Sequence, residues 1–260
     1  MIYRFFSLGW RHSNRHWLHY NKAYLILAGL LTPLVLSVHS VVGMDFAAAI
    51  VPGWHSTIFP PYFVAGAVYS GVAMAVTVLV FLRKVFDMEN VFTLNHLDKM
   101  NKLILVTGSM VGYAYLMEAF ISWYSGVPTE LYAMVNRAFG AYAWGYWILI
   151  TCNALVPQFF WSRRIRRSIP AMLTVVILVN VGMWVERYTI IVSSLSRSFL
   201  PSSWSYFVPS PIDLGILIGS FGMFFTFILI YTKMLPVVAM SEIKAEIIGA
   251  QPTNHGGNSD

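Results

Sequence analysis

Residues 59–82, FPPYFVAGAVYSGVAMAVTVLVFL, contain no acidic or basic side chain and run directly into Arg83-Lys84. A helix needs about 20 such residues to cross a hydrocarbon core of about 30 Å, so this stretch alone predicts a transmembrane helix. Pro60 and Pro61 suit its first turn, where a missing N–H forfeits no hydrogen bond. Outward from it, five further stretches share this length and composition: 23–43, 103–124, 139–161, 171–193 and 214–235. A membrane barrel would instead show segments of about ten residues with alternating polarity, and lipid tolerates no open sheet edge. The sequence therefore predicts an all-α integral membrane protein with six transmembrane helices over residues 23–240. An interfacial or cytoplasmic segment, 1–22, is expected before them, and a cytoplasmic tail, 241–260, disordered at its polar end, after them.

Composition supports this division. Of 260 residues, 57% are hydrophobic and 11% charged, against about 25% charged in a soluble domain, which excludes a water-soluble globule. A lone Cys152 closes no internal disulfide, holds no iron–sulfur cluster and attaches no c-type haem, so no metal centre of those kinds is expected in this chain. The net charge of +6 raises the question of a nucleic-acid partner, and the placement of the basic residues answers it. Fourteen of the 17 Lys and Arg fall on one side of the spans, as at Lys84, Lys99 and Lys102 and at Arg163, Arg164, Arg166 and Arg167. Such alternation is a topology signal that places both termini in the cytoplasm, and the nucleic-acid reading fails. Pro33 and Pro157 predict kinks in the first and fourth spans, and Gly66, Ser70 and Ala73 at helical spacing predict close helix packing.

Several ionisable residues do not belong in lipid. His39 and Asp45 lie toward the outer end of the first span and Glu118 toward that of the third. Arg137 stands just before the fourth, Glu186 and Arg187 lie in the outer third of the fifth, and Asp213 begins the sixth. A charge near the bilayer centre costs about 2.5 to 3.5 kcal/mol even on lenient insertion scales, so these groups are expected to face one another in one outward-facing polar pocket. Three chemistries suit it: ion pairs that fix helix register, carboxylates that load and release protons, or a quinone-head site where a carboxylate or histidine takes a hydroxyl proton. Composition does not choose among them. His39 is the only histidine inside a span, whereas a b-type haem within one subunit takes two at matching depth, so it is expected to be a hydrogen-bonded pocket histidine rather than a metal ligand. Cys152 reads as a small buried hydrophobe.

Longer runs carry a resemblance. Residues 32–47 (TPLVLSVHSVVGMDFA), 52–66 (PGWHSTIFPPYFVAG), 117–126 (MEAFISWYSG), 136–153 (NRAFGAYAWGYWILITCN), 180–195 (NVGMWVERYTIIVSSL) and 199–204 (FLPSSW) resemble the NrfD/polysulfide-reductase membrane-subunit family, and within it most the ActC subunits of bacterial alternative complex III. The resemblance implies a four-helix bundle of the NrfD type in the inner (cytoplasmic) membrane of a bacterium. It also implies a non-autonomous subunit of a quinol dehydrogenase complex, with quinol or menaquinol as the substrate of the complex and no cofactor bound by this chain. Electrons would pass to an iron–sulfur protein subunit. A second NrfD-like membrane subunit and c-type cytochrome subunits carrying haem c are implied as further partners. ActC-like members have about ten spans in two bundles, so the chain is expected to correspond to the C-terminal part, with another chain supplying the N-terminal bundle and its quinol pocket. For the second bundle the resemblance implies a path of buried ionisable residues, matched here by His39, Asp45, Glu118, Glu186 and Arg187.

Two other functions suit a six-span polar-pocket protein. One is a structural membrane anchor for extrinsic redox subunits. The other is a small-solute or ion transporter, although the paired broken helices and internal repeat of that class are not apparent in the sequence.

Overall fold

The computed structural model describes residues 10, 13–51, 53–197 and 200–235. The expected tail 241–260 and residues 1–9, 11 and 12 of the expected interfacial segment lie outside the described residues. The chain divides into two units, Met1–Met88 with Phe92–Ser205, and Glu89–Val91 with Tyr206–Asp260. Among the described residues all regular structure is helical.

In the first unit α1 spans Asn14–Ala47, α2 Phe59–Val85 and α3 Leu94–Tyr124. A short α4, Pro128–Phe139, precedes α5, Ala143–Trp161, which is followed by the single turn α6, Arg163–Arg167, and by α7, Ile169–Leu195. The second unit holds α8, Pro211–Met234. Five of these helices are long and apolar enough to cross a membrane, and the bent pair α4–α5 makes up to six. The chain is an integral membrane protein, as the hydropathy predicts.

The fourth span departs from its predicted limits. Residues 139–161 read as one apolar run, yet the helix breaks after Phe139 and α4 meets α5 at 82°. Gly140, with an extended backbone, ends α4, and a Cβ there would sit 2.2 Å from the Asn136 side chain. Arg137, expected just before the fourth span, lies before α5, in the separate helix α4. Helix α1 also begins earlier than expected, at Asn14, with the Ser13 hydroxyl capping the His16 N–H at 3.3 Å, and it continues unbroken through Pro33.

Helices α2, α3, α5 and α7 pack as a four-helix bundle, with α1 against α2. Tyr69, Val76, Ile104, Val111, Phe160, Met172, Val176 and Val179 fill its centre and are almost fully buried. Close approaches explain the small residues. A Cβ on Gly43 would lie 2.7 Å from the Pro60 backbone, where α1 crosses α2, and one on Gly182 would lie 2.3 Å from Asn153 and 2.5 Å from Cys152.

The Pro157 distortion spreads over two turns. Residues Thr151–Leu155 are π-helical and Val156–Trp161 are 3-10, the wider and tighter coils that accommodate a missing N–H. Pro157 leaves the Asn153 carbonyl, four residues back, without its helical donor. The Tyr69 hydroxyl on α2 donates to that carbonyl at 3.3 Å.

One end of the bundle is basic. Asp98, on α3, accepts from Arg166 Nε at 2.9 Å and pairs with Lys102 Nζ at 2.8 Å. Arg166 Nη1 also donates to the carbonyls of Phe160 and Trp161, while Asn101 Nδ2 donates to the Arg166 carbonyl at 3.1 Å. Together these bonds fix the α5–α7 connection.

In the second unit, α8 opens with a capping box. The Ser210 hydroxyl accepts from the Asp213 N–H at 3.3 Å, and the Asp213 carboxylate accepts from the Ser210 N–H at 2.8 Å. Asp213 therefore serves a helix end, where a carboxylate meets the positive pole of the dipole.

Candidate functional site

At the end opposite the basic loops, three helices bring polar side chains together. Glu186, on α7, is 1% exposed. The Tyr115 hydroxyl on α3 donates to its Oε2, and Asn153 Nδ2, from the π-helical turn of α5, donates to the same oxygen at 3.2 Å and to the Tyr115 hydroxyl at 3.0 Å. The other oxygen, Oε1, lies 3.3 Å from Arg187 Nη1, an ion-pair distance without hydrogen-bond alignment. Arg187 turns back along α7, and its guanidinium carbon lies 4.5 Å from the centre of the Phe63 ring on α2. Gly66 makes room for it, since a Cβ there would stand 3.2 Å from Nη2. Tyr62, also buried, packs edge-on against Tyr115 with ring centres 5.8 Å apart. A carboxylate removed from water survives only where a charge and hydrogen-bond donors offset its lost hydration, and Glu186 has both.

Nearer the rim, Arg137 Nη1 on α4 donates to Glu118 Oε1 on α3 at 2.5 Å, and Nη2 donates to the Gly53 carbonyl at 2.6 Å. Arg137 is 7% exposed and the Glu118 side chain 26%, so the pair bridges buried protein and an open cleft. His55, Ser56, Ser122 and Glu130 also line that cleft, whose space, partly open to solvent, is about 380 Å³. Gly53 adopts φ +85°, a left-handed conformation that favours glycine, and a Cβ there would stand 2.8 Å from Arg137 Nη2. Trp54 Nε1 donates to the Ile190 carbonyl at 2.9 Å and pins this loop to α7.

Of the seven ionisable residues expected in the pocket, Glu118 pairs with Arg137 and Glu186 with Arg187, while Asp213 caps α8. Two others stand on α1. His39 is partly exposed, and its Nδ1 bonds the Val35 carbonyl of its own helix at 2.8 Å. Asp45 is exposed near the end of that helix. Sequence reasoning left Tyr115 and Asn153 out of the site. One signal was available for Asn153, an amide four residues before a proline in an otherwise apolar run. For Tyr115 the sequence carries no signal beyond its place one turn before Glu118.

A family model described as polysulphide reductase, NrfD, matches residues 8–200. That range takes in α1 to α7 and ends before α8. No curated protein gives a match to the chain.

Proposed function

The chain belongs to the polysulphide reductase NrfD family, whose proteins are membrane subunits of quinone-linked redox complexes, and on that premise we propose that it serves a quinol-oxidising complex of the alternative complex III type, in the place of an ActC-like subunit. In this reading the quinol gives up two electrons and two protons. The electrons leave to an iron–sulfur partner subunit and on to c-type cytochromes. A second NrfD-like membrane subunit completes the assembly. The distribution of Lys and Arg supports termini on the cytoplasmic side of the inner membrane, which sets the Glu118–Arg137 rim toward the periplasm.

The chain's own residues handle protons. Glu186 is the exchangeable carboxylate, Tyr115 and Asn153 orient it, and Arg187 offsets its charge. Glu118, held by Arg137 at the open cleft, relays toward water. His39 and Asp45 are outlying members of the route on α1, with Asp45 at an exposed position. The observation that carries this reading is a carboxylate 1% exposed, inside a membrane bundle, with a second, arginine-paired carboxylate on α3 partly open to the outside. Buried titratable groups with specific partners mark functional sites more often than chance allows.

A structural reading competes, because the Glu118–Arg137 pair also ties α4 to α3. Turnover and subunit content of the purified complex separate the two. Glu186→Gln and Glu118→Gln are expected to assemble fully and to slow quinol oxidation by about a hundredfold or more, the lower end of the range for a lost proton-transfer group. Full assembly with unchanged turnover overturns the proton role, and loss of subunits assigns the pairs to anchoring.

A further inference from the structure

The rim holds a second arginine that the proton route does not use. Arg197 follows the last turn of α7, and its guanidinium carbon lies 5.1 Å from the Trp204 ring centre. Trp204 in turn stacks on Tyr132 of α4 at 5.8 Å. Among the described residues no carboxylate lies within ion-pair distance of Arg197. Its Nε is buried and makes no hydrogen bond, and the same is true of the Ser194 hydroxyl, on a residue only 5% exposed. Both residues line one cleft of about 280 Å³, together with Asn136 and Arg137.

Buried polar groups are paired in roughly 90% of cases or more. Two unpartnered groups that can donate, on residues that line one cleft, leave room for an acceptor from outside the chain. Charge narrows the choice. The residues that line the cleft include two arginines and no carboxylate, and Glu118 pairs with one of the two, Arg137. One positive charge is left over. An acceptor with several oxygens and a negative charge fits, and arginine's fork of donors matches phosphate geometry. The Tyr132–Trp204 stack is of the kind that sits at headgroup level, and Ile191 and Leu195, on the neighbouring turns of α7, are exposed as an acyl chain would require.

We propose that this cleft binds a phosphate group, with Arg197 Nε and the Ser194 hydroxyl as its donors. A phospholipid headgroup and free phosphate share this chemistry. The test follows the thermal unfolding midpoint of the delipidated full chain in detergent at constant ionic strength. One arm exchanges chloride for inorganic phosphate, and the other adds phosphatidylglycerol to the micelles. A saturable rise is expected, and Arg197→Gln and Ser194→Ala are expected to weaken it by roughly tenfold in half-saturating concentration, as for loss of a charge-assisted hydrogen bond. A rise with phosphatidylglycerol alone assigns the site to lipid, and a rise with both assigns it to the phosphate group itself. No saturable rise in either arm, or the same rise in both variants, overturns the proposal. Should Arg197→Gln fail to fold, Ser194→Ala removes one hydroxyl and carries the test alone.

Discussion

Tyr115 on α3 donates its hydroxyl to Glu186 on α7, so a carboxylate that lipid would reject is held by a side chain from a different helix. Its removal leaves the carboxylate with the Asn153 amide and a poorly aligned arginine. Hydrogen bonds to buried charged groups contribute about 1.5–3 kcal/mol. Tyr115→Phe is therefore expected to lose stability of that order in detergent, read as a lower unfolding temperature. A midpoint equal to the wild type would show that the bond contributes nothing.

The Glu118–Arg137 pair makes a different prediction, because each charge compensates the other. Glu118→Gln or Arg137→Gln alone leaves one charge uncompensated, whereas the double variant leaves none. A double-mutant cycle on unfolding is expected to give a coupling of roughly 1 kcal/mol, near the low end for contacting residues because Glu118 is partly open to solvent. Additive losses would mean that the two side chains act independently.

Gly182 and Gly29 should respond oppositely to the same added methyl. At Gly182 it would meet Asn153 and Cys152, and at Gly29 it has open space. Gly182→Ala is expected to cost about 1–3 kcal/mol, as overpacking does, and to reduce turnover by displacing Asn153 from Glu186. Gly29→Ala is expected to be neutral or slightly stabilising, since alanine favours a helix interior by roughly 1 kcal/mol. Equal effects at the two positions would contradict the close α5–α7 contact.

At the basic end, Asp98 holds Arg166, and through it the turn Arg163–Arg167. Asp98→Asn keeps the size and removes the charge. Trypsin, which cuts after arginine, is expected to cleave within residues 163–167 several times faster in this variant, because local opening governs such cleavage. An unaltered cleavage rate counts against the clamp.

The spans were legible because lipid acts as a strong one-dimensional filter. Runs such as 59–82 and 171–193 need about twenty apolar residues in a row, and no tertiary contact is required to recognise them. The break after Phe139 falls at the first residue of the predicted span, but the separate helix before it and the 82° turn were not legible, because hydropathy measures whether residues tolerate lipid and carries no direction. The site was half legible. Glu118, Arg137, Glu186 and Arg187 announced themselves as charges in the wrong solvent, and that penalty drives them together. His39 and Asp45 look similar in sequence, yet α1 packs on the outside of the bundle against α2, where a side chain can satisfy itself locally, as His39 does with Val35. Tyr115 and Asn153 stayed hidden because neutral polar residues carry a smaller penalty and are common within membrane helices.

The 82° turn between α4 and α5 has a mechanical consequence. Helix α4 lies across the bundle like a lintel, resting on α3, α5 and α7, and it grips the rim through a single buried arginine. A load on that crosspiece would reach α3 through the Arg137–Glu118 link, so the side chain that tethers the beam also holds the one rim carboxylate it is paired with.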